Sequence, residues 1–501
     1  MTFSKQQLDI FEWVKSGNGN LIIKARAGSG KTFVAVQAVQ YMKGSVLAMA
    51  FNNKAAKELA TRLSNMACPN ALASTVHSAG KNLIYKSQGY HKVDASKVFW
   101  ITEKYCKGDL AFTRNFIAKL VGFAKQSAFG VEGQISIDDT QAWMDIINHH
   151  DIEMNFDSDL GTVIDIAKDV LKDSNRDTKV IDFDDMQYLP LIYKCGSVQY
   201  DWVIIDEAQD TNVCRKLLLK MLLKPSGRLI AIGDEGQAIY AFCGAETNSI
   251  NLIKDMFNCS ELPLSTCYRC DKVIIEAAQK YFPDIQSHDD AGEGSISSMT
   301  YNDFISNVQT LKLDGSVGIL CRNNAPNVSL AFSLIKEGIG CFIEGRDIGN
   351  DLKKLVKKWK RVTTLDEFTL RLVEFFNKEF DKASYTKLQL LEDKMNTMII
   401  LIERCKDLGK NDLNSLEKLI TDMFKDSDDN TRDIVTLSSI HKAKGLEWDT
   451  CYMVDMNQFI PSRYAKQDWE LEAENCLAYV GITRARHDLI HITDFPSRSK
   501  E

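Results

Sequence analysis

The chain has 501 residues, a formal net charge of −7, 45% hydrophobic and 26% charged residues. That length suits about three domains with buried cores, and the composition is that of an ordinary globular protein. The acidic balance excludes a surface coated in positive charge, so any nucleic acid must be held in a local groove. The 13 cysteines are scattered, as expected of reduced thiols in a cytosolic compartment. Cys267 and Cys270 have CxxC spacing, but no second pair answers them, and a zinc site is not read there. No apolar run reaches transmembrane length, and MTFSKQQLDIF does not read as a secretory leader.

Residues 20–84 alternate strand and helix: NLIIKA, a helix from Gly30, SVLAMAF, a helix from Asn53, then ALASTV. That rhythm predicts an α/β layer with a parallel sheet. Residues 86–177 lack buried strand runs and read as a helical insertion. The α/β rhythm returns with VIDFDDM and YDWVIID. A second α/β unit begins near Cys267 and includes SVGILC, a helix from Asn327, and CFIEG. A mostly helical stretch over 363–431 interrupts it, and DIVTLSSI, TCYMVDM and HDLIHIT close it. The expected fold is α/β, two parallel-sheet cores each carrying a mainly helical insertion. The boundaries are 1–85 and 178–266 for the first core and 86–177 for its insertion. They are 267–362 and 432–501 for the second core and 363–431 for its reduced insertion.

The run from Ala25 through Arg26, Ala27, Gly28, Ser29, Gly30 and Lys31 to Thr32 follows a strand and opens a helix. Glycines let backbone N–H groups close on a phosphate, and the helix N-terminus favours an anion. Lys31 is placed to reach β- and γ-phosphates, and Thr32 to ligate Mg²⁺. The apolar run Val203-Ile204-Ile205 ends at Asp206 and Glu207. Asp206 suits a Mg²⁺ ligand, acting through water, and Glu207 a base that orients and deprotonates the attacking water. A second apolar run, Leu229 to Ile232, ends at Gly233, Asp234 and Gln237. Tyr240 and Phe242 follow at once, so rings suited to stacking on bases sit beside the phosphate chemistry. The cofactors read from this pattern are ATP and Mg²⁺.

With those residues the chain resembles the UvrD/Rep-like superfamily 1A helicases, in eight motifs that follow the family order. Gln7 in FSKQQLDIF resembles the glutamine that reads the adenine edge. Phe51-Asn52-Asn53-Lys54-Ala55-Ala56 and Ser74-Thr75-Val76-His77-Ser78 resemble the next two motifs. Gly233-Asp234-Glu235-Gly236-Gln237 resembles the motif whose glutamine senses the γ-phosphate. Leu264-Ser265-Thr266-Cys267-Tyr268-Arg269 resembles the element with a base-stacking tyrosine and a phosphate-binding arginine. The run from Ser438 through His441 and Glu447 to Trp448, and the run from Ala478 through Arg484 to Ala485, resemble the last two. The resemblance implies RecA-like P-loop cores, with nucleotide contacts from Gln7, residues 27–33, Tyr268, Arg269, Glu447 and Arg484. It implies that Arg269 and Arg484 stabilise the transferred charge from across a cleft.

It also implies that Phe51, Tyr240 and Phe242 stack on bases, where each contact contributes about 1–3 kcal/mol. Thr75, His77 and His441 are candidate phosphate or sugar contacts, and Asn53 and Lys54 open a helix whose N–H groups favour phosphate. The segment Lys353, Lys354, Lys357, Lys358, Lys360 and Arg361, with Leu352, Leu355, Val356 and Trp359 at helical spacing, reads as an amphipathic helix. Its charged face is either solvated or a track for phosphates.

Four departures from the family pattern stand out. Phe33 replaces an arginine after the phosphate loop, where a ring could pack on adenine. Cys243 replaces the arginine after Phe242. Asn475 and Cys476 stand where the last motif often opens with arginines. The second insertion is short, which argues against elaborate autoinhibition and against strong unwinding by a monomer. The resemblance implies an ATP-dependent DNA helicase or translocase moving 3′→5′ on single-stranded DNA. Its partners are single strands and single/double-strand junctions, with replication or repair proteins beyond them. It implies no membrane, a monomer when free, and the cytoplasm of a bacterial or virus-infected bacterial cell. The alternatives are a translocase that strips proteins without net unwinding, and a DNA-binding module switched by ATP.

Overall fold

The computed structural model describes residues 3–50, 52–150, 152, 158–239, 248–311, 314–337, 339–359, 362–380, 385–425 and 435–496. The chain forms two compact units, Met1–Ser265 and Thr266–Glu501. In the first, strands β1 (Asn20–Ala25), β2 (Val46–Ala50), β3 (Ala71–Thr75), β4 (Tyr200–Ile205), β5 (Leu223–Gly233) and β6 (Cys259–Leu264) make one sheet. Its order is β3-β2-β4-β5-β1-β6 and every pairing is parallel. Side chains alternate between two buried faces. Leu21, Ile23, Val46 and Ala48 enter one core, and Ile22, Leu47, Met49 and Val203 the other. Burial on both faces is why these strands read as unbroken apolar runs. Ile23 is in register with Ile232, and Ile205 with Ala231, so β1, β5 and β4 end at one edge of the sheet. The loops after them emerge together there, the usual ligand edge of a parallel sheet.

Helices Lys97–Tyr105, Arg114–Gln126, Thr140–His149 and Leu160–Arg176 form the first insertion. Their apolar faces meet around Leu120, Phe129, Trp143, Ile164 and Leu171, in a cluster that Ile84, Met186, Leu189 and Cys214 also enter. Here the structure corrects one expectation. VIDFDDM does not return to the main sheet: Val180–Ile181 pairs only with Lys92–Val93, in a separate two-stranded parallel sheet. Charge explains the detour. Asp182 and Asp185 meet buried Lys125 at 2.6 and 2.7 Å, and Asp185 meets buried Lys97 at 2.7 Å. Lys97 also donates to the carbonyls of Ser174 and Asp177 at 2.8 and 2.7 Å. Burial disfavours the Lys125 charge, but Asp185 and Asp182 outweigh it and hold its pKa above the usual lysine value.

The second unit has strands β7 (Ser295–Thr300), β8 (Val317–Cys321), β9 (Cys341–Glu344), β10 (Phe424–Lys425), β11 (Val435–Ser439), β12 (Trp448–Val454) and β13 (Ala485–Thr493). They form a parallel sheet in the order β7-β13-β12-β8-β11-β9-β10. The helix after β8 begins at Asn324, earlier than the expected Asn327. Asp393 explains the earlier start. Its carboxylate accepts from the N–H groups of Asn324 and Ala325 at 2.9 and 2.7 Å, satisfying donors that a helix leaves open. Pro326 falls in the first turn, where its missing N–H costs little.

Helices Leu365–Phe380, Tyr385–Asp407 and Leu413–Met423 make up the second insertion. Phe368, Leu372, Met398 and Ile420 share one continuous core with Ile319, Ile343 and Leu437 of the sheet. In the basic segment, helix Arg346–Val356 buries Leu352, Leu355 and Val356. Its lysines lean on neighbours: Lys354 on Asp351 at 2.9 Å, Lys357 on Glu417 at 3.2 Å, and Lys358 over the Phe375 ring at 3.4 Å. Lys360 and Arg361 lie outside the described residues. Among the described residues, no helix is long and apolar enough to cross a membrane.

Removing one partner from a buried charge cluster leaves the others uncompensated. Lys125→Met should therefore destabilise the first insertion by about 3–5 kcal/mol, read as early urea unfolding and faster amide exchange in residues 97–176.

Candidate functional site

The phosphate loop is shaped by two glycines. Gly28 has φ +66° and Gly30 φ +80°, a left-handed backbone that side chains resist, and Gly30 caps the helix Lys31–Val39. Arg26 anchors the loop through its N–H to the Leu264 carbonyl at 3.0 Å and its guanidinium to Asp234 at 3.2 Å. Ala27 is buried beneath it. The buried Ser29 hydroxyl has no hydrogen-bond partner among the described residues.

Lys31 Nζ lies 3.5 Å from Glu207, and Thr32 Oγ1 donates to Asp206 at 3.1 Å. Glu207 sits in the left-handed region at φ +54°, an unusual place for a residue other than glycine and one where such strain often marks a working site. Burial, and then the Glu207 charge, push Asp206 up to about 6. Gln209 is the link that the sequence did not single out. Its amide nitrogen donates to Glu207, and its oxygen accepts the Asp234 N–H at 3.1 Å. Asp234 in turn accepts from Gly236 N–H at 3.0 Å and from the Gln237 amide at 2.7 Å. Lys31, Thr32, Asp206, Glu207 and Gln237 therefore belong to one connected cluster.

Gln7 is buried in the first helix, Lys5–Ser16, where its amide oxygen accepts the Ser4 N–H at 3.1 Å in a capping box. Phe33 is half-buried, with its ring 6.1 Å from that of Phe3.

In the second unit, Arg269 pairs with Glu447 and donates to the Thr483 carbonyl at 3.4 Å. Arg484 is 1% exposed and donates to the carbonyls of Val480 and Leu446 at 2.9 and 3.0 Å. Burial and the nearby Arg269 charge lower it to about 10. Glu447 also meets Arg486 at 2.5 Å, and these arginines overcome the effect of burial to hold its pKa below the usual range. Tyr268 is exposed, its ring 4.7 Å from His288. Cys267 and Cys270 are buried, with the Cys270 N–H 3.4 Å from the Cys267 sulfur. Asn475 is exposed on the helix Asp468–Ile482, while its neighbour Glu474 grips Arg322 at 2.5 Å, a pairing not foreseen from the sequence.

Of the candidate nucleic-acid contacts, Phe51, Tyr240 and Phe242 lie outside the described residues, as does Cys243. Asn53 and Lys54 are exposed in the first turn of helix Asn53–Asn65, which Asn52 caps through Ala55 N–H at 2.8 Å. Thr75 is buried and caps helix Val76–Gln88, its oxygen accepting the Ser78 N–H at 3.1 Å. His77 is half-buried, and burial with the Arg215 charge lowers it to about 4. The ring of Phe183 stands edge-on to it at 6.4 Å and is 55% exposed. Phe183 sits in the segment read as a core strand, which hid it. His441 is lowered to about 3 by burial and the Arg322 charge.

Residues 5–258 match the family model for the UvrD/REP helicase N-terminal domain, and residues 346–494 match that for the UvrD-like helicase C-terminal domain. The chain belongs to the UvrD/Rep helicase family. It is similar to the ATP-dependent DNA helicase PcrA of Bacillus subtilis (strain 168), at 23% identity over 95% of this chain and 81% of that protein. It is also similar to the ATP-dependent DNA helicase Rep of Buchnera aphidicola subsp. Acyrthosiphon pisum, at 23% identity over 95% of this chain and 93% of that one. The two parallel sheets are the two RecA-like cores of a UvrD-like helicase.

Two expectations follow from this geometry. Gln209→Met removes one hydrogen bond from the Glu207 carboxylate and one from the Asp234 N–H; if Glu207 is the expected base, its displacement should lower the maximal rate of ATP hydrolysis about 100-fold, with the Michaelis constant for ATP little changed, in a phosphate-release assay. His441 is neutral in the fold and ordinary when unfolded. Its contribution is therefore present above pH 6.5 and lost as pH falls from there toward about 3. The urea midpoint should drop less between neutral pH and pH about 4 in His441→Gln than in the parent chain.

Proposed function

We propose that this member of the UvrD/Rep family is an ATP-driven motor that moves 3′→5′ on single-stranded DNA and separates the duplex ahead of it. One observation supports its hydrolytic part, the set of contacts from Lys31 and Thr32 through Asp206 and Glu207 to Gln209, Asp234 and Gln237; the direction and the strand separation are what the family resemblance implies. A cluster that unites phosphate, metal and water-activating residues with a sensor amide is suited to hydrolysis and to reporting it.

The residues fit a magnesium nucleotide. Gly28 and Gly30 leave room for close approach of a phosphate, and the buried Ser29 hydroxyl has no partner among the described residues. Thr32 and Asp206 would hold Mg²⁺, which would neutralise phosphate charge there. The raised Asp206 pKa marks a buried carboxylate whose charge a cation would favour.

In the mechanism, Lys31 binds the terminal phosphates. Glu207, aimed by Gln209, orients the attacking water and takes its proton at the carboxylate. Gln237 senses the γ-phosphate, and Gln7 contacts the base. Arg269 and Arg484 add positive charge to the transferred phosphoryl group, a role worth about 10³–10⁵ in rate. Phe51, Tyr240 and Phe242 stack on bases. Asn53, Lys54, Thr75, His77 and His441 contact backbone or sugar. The substrate includes single/double-strand junctions, the free chain is a monomer, and its protein partners belong to replication or repair.

Single-stranded DNA should stimulate steady-state ATP turnover, and Lys31→Ala should abolish the stimulated rate. Displacement should occur on 3′-tailed duplexes and not on 5′-tailed or blunt ones. Turnover without displacement on any of them would assign the protein-stripping translocase instead.

A further inference from the structure

Behind the candidate DNA-facing histidine lies a hydrogen-bonded chain that the motor reading does not use. Arg215, on the helix Val213–Leu222, donates from Nε to the Gln187 amide oxygen at 2.8 Å, and from a terminal nitrogen to the Asp210 carbonyl at 2.8 Å. Gln187, on the helix Asp185–Ile192, is 2.5 Å from His77 Nε2 through its own amide nitrogen. Donor chemistry then fixes every proton. Arginine only donates, so the Gln187 oxygen is committed to it and the amide nitrogen must face the ring. An amide nitrogen only donates, so His77 Nε2 must accept. The ring proton is left on Nδ1.

We infer that Gln187, anchored by Arg215, is a positioning residue: it fixes the His77 proton on Nδ1 and presents that N–H to the backbone of a bound single strand. This rests on the motor reading given above. Phe183 stands beside the ring and is exposed, so the same spot pairs a neutral donor with a free aromatic face. Burial, and then the Arg215 charge, keep the ring neutral, as an accepting Nε2 requires. Arg215 is the charged group that faces the ring, whereas Asp210 and Asp184 face Arg215. Because Arg215 also holds the Asp210 carbonyl, the histidine is braced against the turn that carries Glu207.

Three measurements on the full chain test this. Two-bond ¹⁵N–¹H correlation of the His77 imidazole in the free protein should show the Nδ1–H tautomer; the Nε2–H form would overturn the inference. Gln187→Met should raise the half-saturating concentration of an oligothymidine in stimulated ATP turnover about tenfold, with the rate at saturation little changed; an unchanged half-saturation would overturn it. Gln187→Glu keeps an acceptor for Arg215 and guards against a folding failure. Its carboxylate pulls the ring proton to Nε2, so strand affinity should fall near pH 8 and recover toward pH about 6 as the ring protonates, while the parent chain stays flat. Parallel profiles for the two would count against it. If the parent chain showed no stimulation by single strands, the motor reading would fall and take this inference with it. Stimulation in the parent with both variants indifferent would overturn this inference alone.

Discussion

Asp234 is the constraint on which the hydrolytic edge depends. Its carboxylate is fully buried at the end of β5, and a buried charge must be paired and hydrogen-bonded to be tolerated. One oxygen takes Arg26 and the Gly236 N–H, the other the Gln237 amide. Satisfying it therefore pins the phosphate loop to the turn that carries Gln237. Its own N–H takes the Gln209 oxygen, which leaves the Gln209 nitrogen to hold Glu207. Three loops from three strands are thus tied to one residue, two through its carboxylate and one through its N–H.

The two insertions solve burial differently. The first packs its apolar helices against core helices through Ile84, Met186, Leu189 and Cys214, and two of its buried lysines are paired with Asp182 and Asp185, just beyond its end. The second has no separate core. Its helices complete the apolar layer of the sheet, and Asp393 from its middle helix caps the helix that follows β8. An element that shares its core and its caps with the sheet cannot swing as a separate body without exposing both.

What the sequence made legible was local. The phosphate loop, the acidic strand tip and the GDEGQ turn are each contiguous, and their chemistry follows from residue type and the strand before them. The parallel sheets were legible because strands buried on both faces must be apolar throughout. What stayed hidden depends on partners far apart in the chain: Lys97 with Asp185 at a separation of 88 residues, His77 with Gln187 at 110, and Arg322 with Glu474 at 152. VIDFDDM shows the cost of reading locally. Its alternating pattern fits a strand, yet two of its aspartates are claimed by distant lysines, and only Val180–Ile181 is left to pair. Phe183 was lost with it, because an aromatic in a presumed core strand gives no sign of facing solvent.

In the proposed motor, a coupling of hydrolysis to strand movement would have to pass through stiff parts, since soft ones would absorb the displacement. The turn after Glu207 is stiff: the Thr211 hydroxyl donates to the Ala208 carbonyl at 2.8 Å, and Ser249 closes on the same carbonyl at 3.2 Å. Asn212 then caps the next helix through the Arg215 N–H at 2.9 Å, so turn and helix move as one piece. Arg215 extends that piece to Gln187 and His77. A route through Tyr240 and Phe242 lies next to the sensor glutamine in sequence, where Cys243 replaces the family's arginine. The route through Arg215 does not use that position. A second mechanical link of this kind would let the chain dispense with the charge that Cys243 has removed.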